Sequence, residues 1–160
     1  MVIPAGCASS ETWYAVPAVS DDAQPAGMTM ATWERVLAVR HAVGRELEKL
    51  RVAGGIGSSL DAEVDLYCGE ELREQLGRLG EELRFVFITS YARVHPAAER
   101  PSDSVDAEMP GLSVKVCASG HAKCVRCWHH RADVGTHPEH PLLCGRCVEN
   151  LGSGEPREFA

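Results

Sequence analysis

The chain has 160 residues, of which 44% are hydrophobic and 24% are charged, and this composition excludes the highly charged, weakly hydrophobic class of disordered proteins. The formal net charge of -7 gives no electrostatic reason to expect nucleic-acid binding. No apolar run reaches the roughly 18 residues of a membrane-spanning helix, so we expect a cytoplasmic protein with no membrane partner.

The first half of the chain begins with a proline-containing stretch at 1–28, which predicts an irregular lead-in with one short strand at 12–16. From residue 32 to about residue 53 apolar side chains recur at helical spacing, which predicts a long amphipathic helix. Its predicted apolar face comprises Trp33, Val36, Leu37, Val43, Leu47 and Leu50. The basic residues of this helix are predicted to form a solvent-exposed face, and an RNA-binding stripe is the alternative. These residues are Arg35, Arg40, Arg45, Lys49 and Arg51.

The middle of the chain alternates between strand and helix patterns. Apolar residues at every second position predict strands at 58–68 and 112–117, and a helix is predicted to start near Glu70 with Leu72, Leu76 and Leu79 as its apolar face. Residues 81–95 are ambiguous between the two, and we predict a helical turn followed by a strand. Three prolines predict a loop or linker at 96–111.

These elements predict an α+β fold with a long amphipathic helix and a small three-stranded sheet with helices, followed by a zinc ribbon. The predicted divisions are the lead-in at 1–28, an α+β junction domain at 29–118 and a four-cysteine finger at 119–160.

The strongest pattern in the sequence is formed by two Cys-x-x-Cys pairs. Sixteen residues separate the pairs, a spacing typical of a zinc ribbon, and the four cysteines are Cys124, Cys127, Cys144 and Cys147. Four thiolates complete the tetrahedral coordination of one zinc ion and leave no position for water or substrate, so the predicted zinc is structural and the chain has no predicted catalytic residues. We expect Gly145 to support the second turn through a positive φ. A redox pair and four unrelated thiols are the alternatives.

The predicted finger contains few apolar residues, so metal binding is expected to supply much of its folding free energy. These residues are Trp128, Val134, Leu142, Leu143 and Val148. The neighbouring histidines are predicted to bind no metal, because the cysteine set is complete.

Residues 123–160 resemble the C-terminal zinc finger of bacterial isoleucine-tRNA ligases, which are class I aminoacyl-tRNA synthetases. The resemblance rests on Trp128-His129, Asp133-Val134-Gly135, His140, Cys144-Gly145-Arg146-Cys147, Asn150-Leu151, Gly154-Glu155 and Phe159-Ala160. Runs beginning at Trp33, Gly57 and Gly80 resemble the last long helix and the junction region, so the resemblance covers about residues 12–160. His130 stands where tyrosine is more usual, and the acidic linker at 96–110 matches poorly.

The resemblance implies that the chain binds and positions isoleucine tRNA near its anticodon end, in protein biosynthesis. The groups available for RNA contact are Trp128, Arg131, Arg126, Arg146, Lys123 and Arg157, the first two being the strongest candidates. For Trp128 the alternative is packing over the zinc site. The sequence lacks the H-x-G-H and K-M-S-K-S motifs of class I synthetases, so ATP would act only in the full-length enzyme, and the missing catalytic part is an expected partner.

Three alternatives stay open for how the chain occurs: a fragment, a truncated gene product or one half of a split enzyme.

Two other functions also stay open. Formamidopyrimidine DNA glycosylases end in a similar finger, although the start Met1-Val2-Ile3 differs from their N-terminal proline and acidic partner. A free-standing zinc ribbon that binds protein is the other, and it is favoured by the net negative charge.

Overall fold

The computed structural model describes residues 28–152. The lead-in, its predicted strand at 12–16 and Arg157 lie outside the described residues. In chain order the described elements are α1 (Met30–Val52), β1 (Ala62–Cys68), α2 (Glu70–Gly77), α3 (Leu83–Phe87), β2 (Tyr91–Pro96), β3 (Val105–Asp106), β4 (Leu112–Ala118) and α4 (Gly145–Gly152). The predicted α+β class is confirmed.

Helix α1 follows the predicted amphipathic pattern. The Thr29 hydroxyl accepts a hydrogen bond from the Thr32 backbone N–H at 3.2 Å, which caps the first turn. The buried apolar residues recur every three or four positions and are Val36, Val39, Ala42, Val43 and Leu47. Leu37 is exposed, so its assignment to the apolar face was wrong. The true stripe passes through Val39 and Ala42, which lie on the same side as Val43.

The sheet contains four strands in the order β2-β1-β4-β3 within the described part of the chain. Strand β1 pairs parallel with β2 and antiparallel with β4. One face of the sheet packs with the α1 stripe in the hydrophobic core, through Val64, Leu66, Val94 and Val114. Residues between these positions point to the opposite face of the sheet, where Asp65 of β1 pairs with Arg93 of β2.

The prediction of a three-stranded sheet was wrong, because the loop after β2 contains the two-residue strand β3. Its residues Val105 and Asp106 pair with Val114 and Ser113 of β4. A pair of residues is too short to show a period-two pattern in the sequence, so pairing with β4 alone defines this strand.

The ambiguous segment after α2 follows the predicted order of helix and then strand. Helix α2 ends at Gly77, earlier than the predicted end near Gly80, and a 3₁₀ turn at Gly80–Glu82 leads into α3. Ile88 ends α3 with a left-handed backbone at φ 59°. This sharp end directs the chain into β2, so that α3 and the start of β2 lie next to each other.

No helix within residues 28–152 is both long enough and apolar enough to cross a membrane.

Candidate metal centre and the surface around it

The four cysteines of the Cys-x-x-Cys pairs meet in one cluster. Their sulfur atoms all lie within 4.8 Å of one another, and the Sγ atoms of Cys127 and Cys144 are 3.7 Å apart. Four sulfur atoms bound at about 2.3 Å to one zinc ion stand about 3.8 Å apart, so the cluster has the dimensions of a tetrahedral site. Cys124, Cys144 and Cys147 are buried and Cys127 is half-buried.

Two chain segments build this cluster. The Cys124 N–H donates to the His129 carbonyl and the Trp128 N–H donates to the Cys124 carbonyl, both at 2.9 Å, which closes a tight turn around the first pair. Trp128 adopts a left-handed backbone with φ 66°, a conformation that costs a non-glycine residue about 1–2 kcal/mol. The second pair begins α4, where the Cys147 N–H donates to the Cys144 carbonyl at 2.9 Å.

Backbone groups around Cys124 favour its thiolate. Burial opposes its ionisation, but N–H groups including those of Cys127, Cys144 and Arg126 donate to the sulfur and lower the pKa of Cys124 to about 6. Burial raises the pKa of Cys127 and of Cys144. A cation is therefore needed to hold Cys127 and Cys144 as thiolates, and the four-sulfur donor set fits zinc.

Gly145 has a different role from the predicted one. Its φ is not positive; instead its N–H donates a 2.7 Å hydrogen bond to Asp133 Oδ2. A Cβ atom at position 145 would lie 2.9 Å from that oxygen and 3.4 Å from His137 Nε2. A side chain at position 145 would have to displace the Asp133 carboxylate that accepts this hydrogen bond, and the residue with positive φ beside the cysteines is Trp128.

The five predicted apolar residues of the finger differ in burial. Val134 and Leu143 pack against the cysteine cluster, as predicted, and Val148 is half-buried, whereas Leu142 and Trp128 are exposed. Trp128 is 61% exposed, so its indole does not cover the cysteines. The alternative in which Trp128 packs over the zinc site is therefore wrong.

The finger is fixed to the sheet by hydrogen bonds around Asp61. Asp61 Oδ1 is 3.1 Å from Lys123 Nζ and 3.2 Å from His130 Nε2, and the His130 N–H donates to Ser90 Oγ at 2.6 Å. Burial opposes ionisation of Asp61, but hydrogen bonds from Lys123, the Ser58 N–H and His130 lower its pKa to about 2. His130 thus joins the finger to the sheet.

The predicted RNA-contact residues lie at different places on this surface. Lys123 Nζ is 5.9 Å from the Trp128 ring centroid, and Arg126 Nη1 donates to Cys147 Sγ at 3.7 Å. Arg131 Nη1 donates to the Ser90 carbonyl at 3.4 Å, and Arg146 lies 4.8 Å from the ring centroid of Phe85. Phe85 and its neighbour Arg84 were not among the predicted site residues, because only the folded chain brings α3 to the finger.

Comparison with known proteins adds two observations. Residues 123–150 match the family described as "Zinc finger found in FPG and IleRS". The isoleucine–tRNA ligase of Methylococcus capsulatus is 60% identical over 130 residues, which are 81% of this chain and 14% of that protein. The chain is homologous to a segment of bacterial isoleucine–tRNA ligases. Further isoleucine–tRNA ligases, from Nitrosococcus oceani and Pseudomonas entomophila, are 56% and 55% identical over 93% of this chain and 16% of each relative.

The similarity to isoleucine–tRNA ligases extends well beyond the finger, because the matched stretches of 130 to 151 residues are far longer than the family match at 123–150. The chain spans only 14% to 16% of the length of these curated relatives.

Proposed function

We propose that the chain binds and positions isoleucine tRNA as the C-terminal part of an isoleucine–tRNA ligase, with one structural zinc ion bound by Cys124, Cys127, Cys144 and Cys147. The observation that carries the RNA-binding role is the exposed Trp128 indole beside the cysteine cluster. ATP and isoleucine are handled by the catalytic part of the enzyme, which is the expected protein partner, and charging of the tRNA takes place there.

The zinc role rests on the fit between the cluster and the ion. Four thiolates carry four negative charges and zinc carries two positive charges, so the bound site would have a net charge of about -2. The Arg126 guanidinium donates to Cys147 Sγ and offsets part of this charge. The complete ligand set gives the metal no open position, so its role is to shape the finger and to present Trp128.

The surface chemistry around Trp128 suits a single-stranded RNA loop. RNA is recognised largely through bases stacked on aromatic or guanidinium planes and through phosphates near cations. Trp128 offers an exposed aromatic face with Lys123 above it, and Arg131 is the nearby guanidinium that we regard as the next contact. Arg126, Arg146 and Arg157 are the further candidates.

A complementation experiment tests the assignment to the ligase. A matching isoleucine–tRNA ligase truncated before this segment is assayed for charging of isoleucine tRNA, with and without the zinc-loaded chain added in trans. We expect the chain to restore charging and the Cys144→Ser variant to fail. The proposal is rejected if the zinc-loaded chain binds neither isoleucine tRNA nor the truncated enzyme.

The DNA-glycosylase alternative has less support. The family that matches 123–150 includes both protein classes, but the relatives matching 81% to 93% of the chain are isoleucine–tRNA ligases. Cleavage of oxidised DNA by the purified chain would reverse this preference.

A protein-binding zinc module is the second candidate function. It is favoured by two exposed apolar side chains of the finger, Val125 and Leu142, which adjoin because the Val125 N–H donates to the Leu142 carbonyl at 3.1 Å. A pull-down whose only specific product is protein, insensitive to nuclease and lost in Leu142→Glu, together with no binding of isoleucine tRNA, would support this function over the first.

A further inference from the structure

Arginines from the α+β unit and from the finger meet around Phe85. The Arg84 guanidinium lies 4.2 Å from the Phe85 ring centroid, and the Arg146 guanidinium lies 4.8 Å from the same centroid. Arg84 and Phe85 belong to α3, whereas Arg146 belongs to the first turn of α4. Cation–π contacts of this kind hold guanidinium groups in fixed positions.

Arg131 brings a third guanidinium to this place. It lies 4.3 Å from the Tyr91 ring centroid, and its Nη1 donates to the Ser90 carbonyl at 3.4 Å. Arg84 is only 8% exposed, and burial together with the charges of Arg131 and Arg146 lowers its pKa. Three positive charges are thus concentrated where α3 meets the finger.

A single carboxylate bridges two of these arginines. Glu81 Oε2 lies 3.5 Å from Arg84 Nε and 3.4 Å from Arg131 Nη2. Both contacts are long, the Glu81 side chain is 71% exposed, and the buried Arg84 Nε makes no hydrogen bond among the described residues. A buried N–H without a hydrogen-bond partner needs an explanation, and an anion that the free chain lacks provides one.

We propose that Arg84 and Arg131 form a binding site for one phosphodiester group of the RNA backbone, with Arg146 as a neighbouring positive charge. Glu81 fills this site in the free chain, and a phosphate oxygen replaces its carboxylate on binding. The inference rests on the proposed function, because it takes RNA as the ligand.

A phosphodiester suits this place because its oxygens carry a negative charge and accept guanidinium hydrogen bonds as a carboxylate does. One Glu81 oxygen already bridges Arg84 and Arg131, so one phosphate oxygen can take its position. Occupation would also link α3 to the finger, which sets the direction in which Trp128 faces the RNA.

The test uses charge-neutralising variants of the zinc-loaded full chain in titrations with isoleucine tRNA. We expect Arg131→Gln to weaken binding about tenfold and to reduce the salt dependence of log K by about one contact, or 0.7 to 0.9 in slope. Glu81→Gln is expected to strengthen binding by about threefold, because the competing carboxylate is removed. Glu34→Gln changes the net charge equally, at an exposed carboxylate of α1 that forms no ion pair among residues 28–152, and should leave the affinity within a factor of 1.5.

Equal effects of Glu81→Gln and Glu34→Gln would overturn the site, as would an unchanged salt slope in Arg131→Gln. Arg84→Gln does not test the site, because loss of this buried side chain is expected to destabilise α3.

A second measurement separates failure of the site from failure of the proposed function. Inorganic phosphate is titrated into the zinc-loaded chain while the arginine Nε–H resonances are followed by NMR. Shifts at Arg84 and Arg131 that grow in Glu81→Gln support the anion site even if tRNA does not bind. Unchanged resonances, together with tRNA binding that is insensitive to Arg131→Gln, reject the site and leave the tRNA-binding function intact.

Discussion

The backbone N–H of Gly145 donates to Asp133 Oδ2 at 2.7 Å and joins the start of α4 to the loop between the cysteine pairs. Because position 145 stands between two of the clustered cysteines, this contact fixes the direction in which α4 leaves the site. A Cβ atom there would lie 2.9 Å from the same oxygen.

Replacing Gly145 with alanine should therefore weaken the metal site. We expect Gly145→Ala to lose the hydrogen bond to Asp133 and to lower the zinc affinity by about tenfold, since a hydrogen bond to a charged group contributes about 1.5–3 kcal/mol. Competition with a chromogenic chelator measures this affinity. Gly152→Ala is the matched control, because a Cβ atom at position 152 meets nothing within 4 Å. Equal affinity of the two variants would refute the role of this contact.

Removing one predicted ligand should abolish the site. We expect Cys144→Ser to bind no stoichiometric zinc and to lose the ordered finger, while Cys117→Ser, which alters a half-buried thiol outside the cluster, keeps one zinc per chain. Metal analysis by mass spectrometry and amide NMR of residues 119–152 report the two effects. One zinc per chain in Cys144→Ser would show that the assigned ligand set is incorrect.

Asp61 should stabilise the attachment of the finger to the sheet. Its folded pKa of about 2 lies below the usual 3.8, so its contribution is complete above about pH 4 and is lost as the pH falls through about 2. This lowering of the pKa corresponds to a contribution of about 2 kcal/mol to the free energy of unfolding. We expect Asp61→Asn to lower the free energy of unfolding by about 1–2 kcal/mol, equally at pH 5 and pH 7.

Chemical unfolding of the zinc-loaded chain measures the effect of Asp61→Asn. The control is Asp103→Asn, whose exposed carboxylate pairs with Lys115 and whose loss should leave the free energy of unfolding nearly unchanged. The free energy of unfolding is compared between Asp61→Asn and the native chain at both pH values. If their difference is smaller at pH 5 than at pH 7, the assigned pKa is contradicted.

Substitutions of Trp128 should change the stability of the chain and its RNA affinity in different ways. Its φ of 66° favours glycine, so Trp128→Gly should be more stable than Trp128→Ala by about 1 kcal/mol. Both variants should lose about 1–3 kcal/mol of RNA-binding free energy, which is typical of one lost base stack. Unfolding curves and RNA titrations measure the two quantities, and unchanged RNA affinity in both variants would remove Trp128 from the interface.

The sequence predicted the elements that are specified by local patterns. The period of α1 was evident from Val36, Val43 and Leu47, and the alternation in β1 and β4 gave their positions. The four cysteines were recognisable because Cys-x-x-Cys spacing is itself the geometric requirement for two ligands on one ion. These features depend on residues close together in the chain.

Other features arise only when distant segments meet. Strand β3 is defined by its pairing with β4, and the exposed position of Leu37 follows from the packing of α1 on the sheet. The contact between Phe85 and Arg146 joins residues 61 positions apart, so no local pattern predicts it. The positive φ of Trp128 was likewise missed, because glycine is the usual indicator of that conformation and tryptophan is not.

The most direct test of the proposed function is a titration of isoleucine tRNA against the chain in its zinc-loaded form and after removal of zinc. We expect weak binding that prefers isoleucine tRNA over another tRNA of similar length and disappears when zinc is removed. Binding that is equally strong without zinc, or that does not distinguish the two tRNAs, would contradict a zinc-shaped RNA-binding finger.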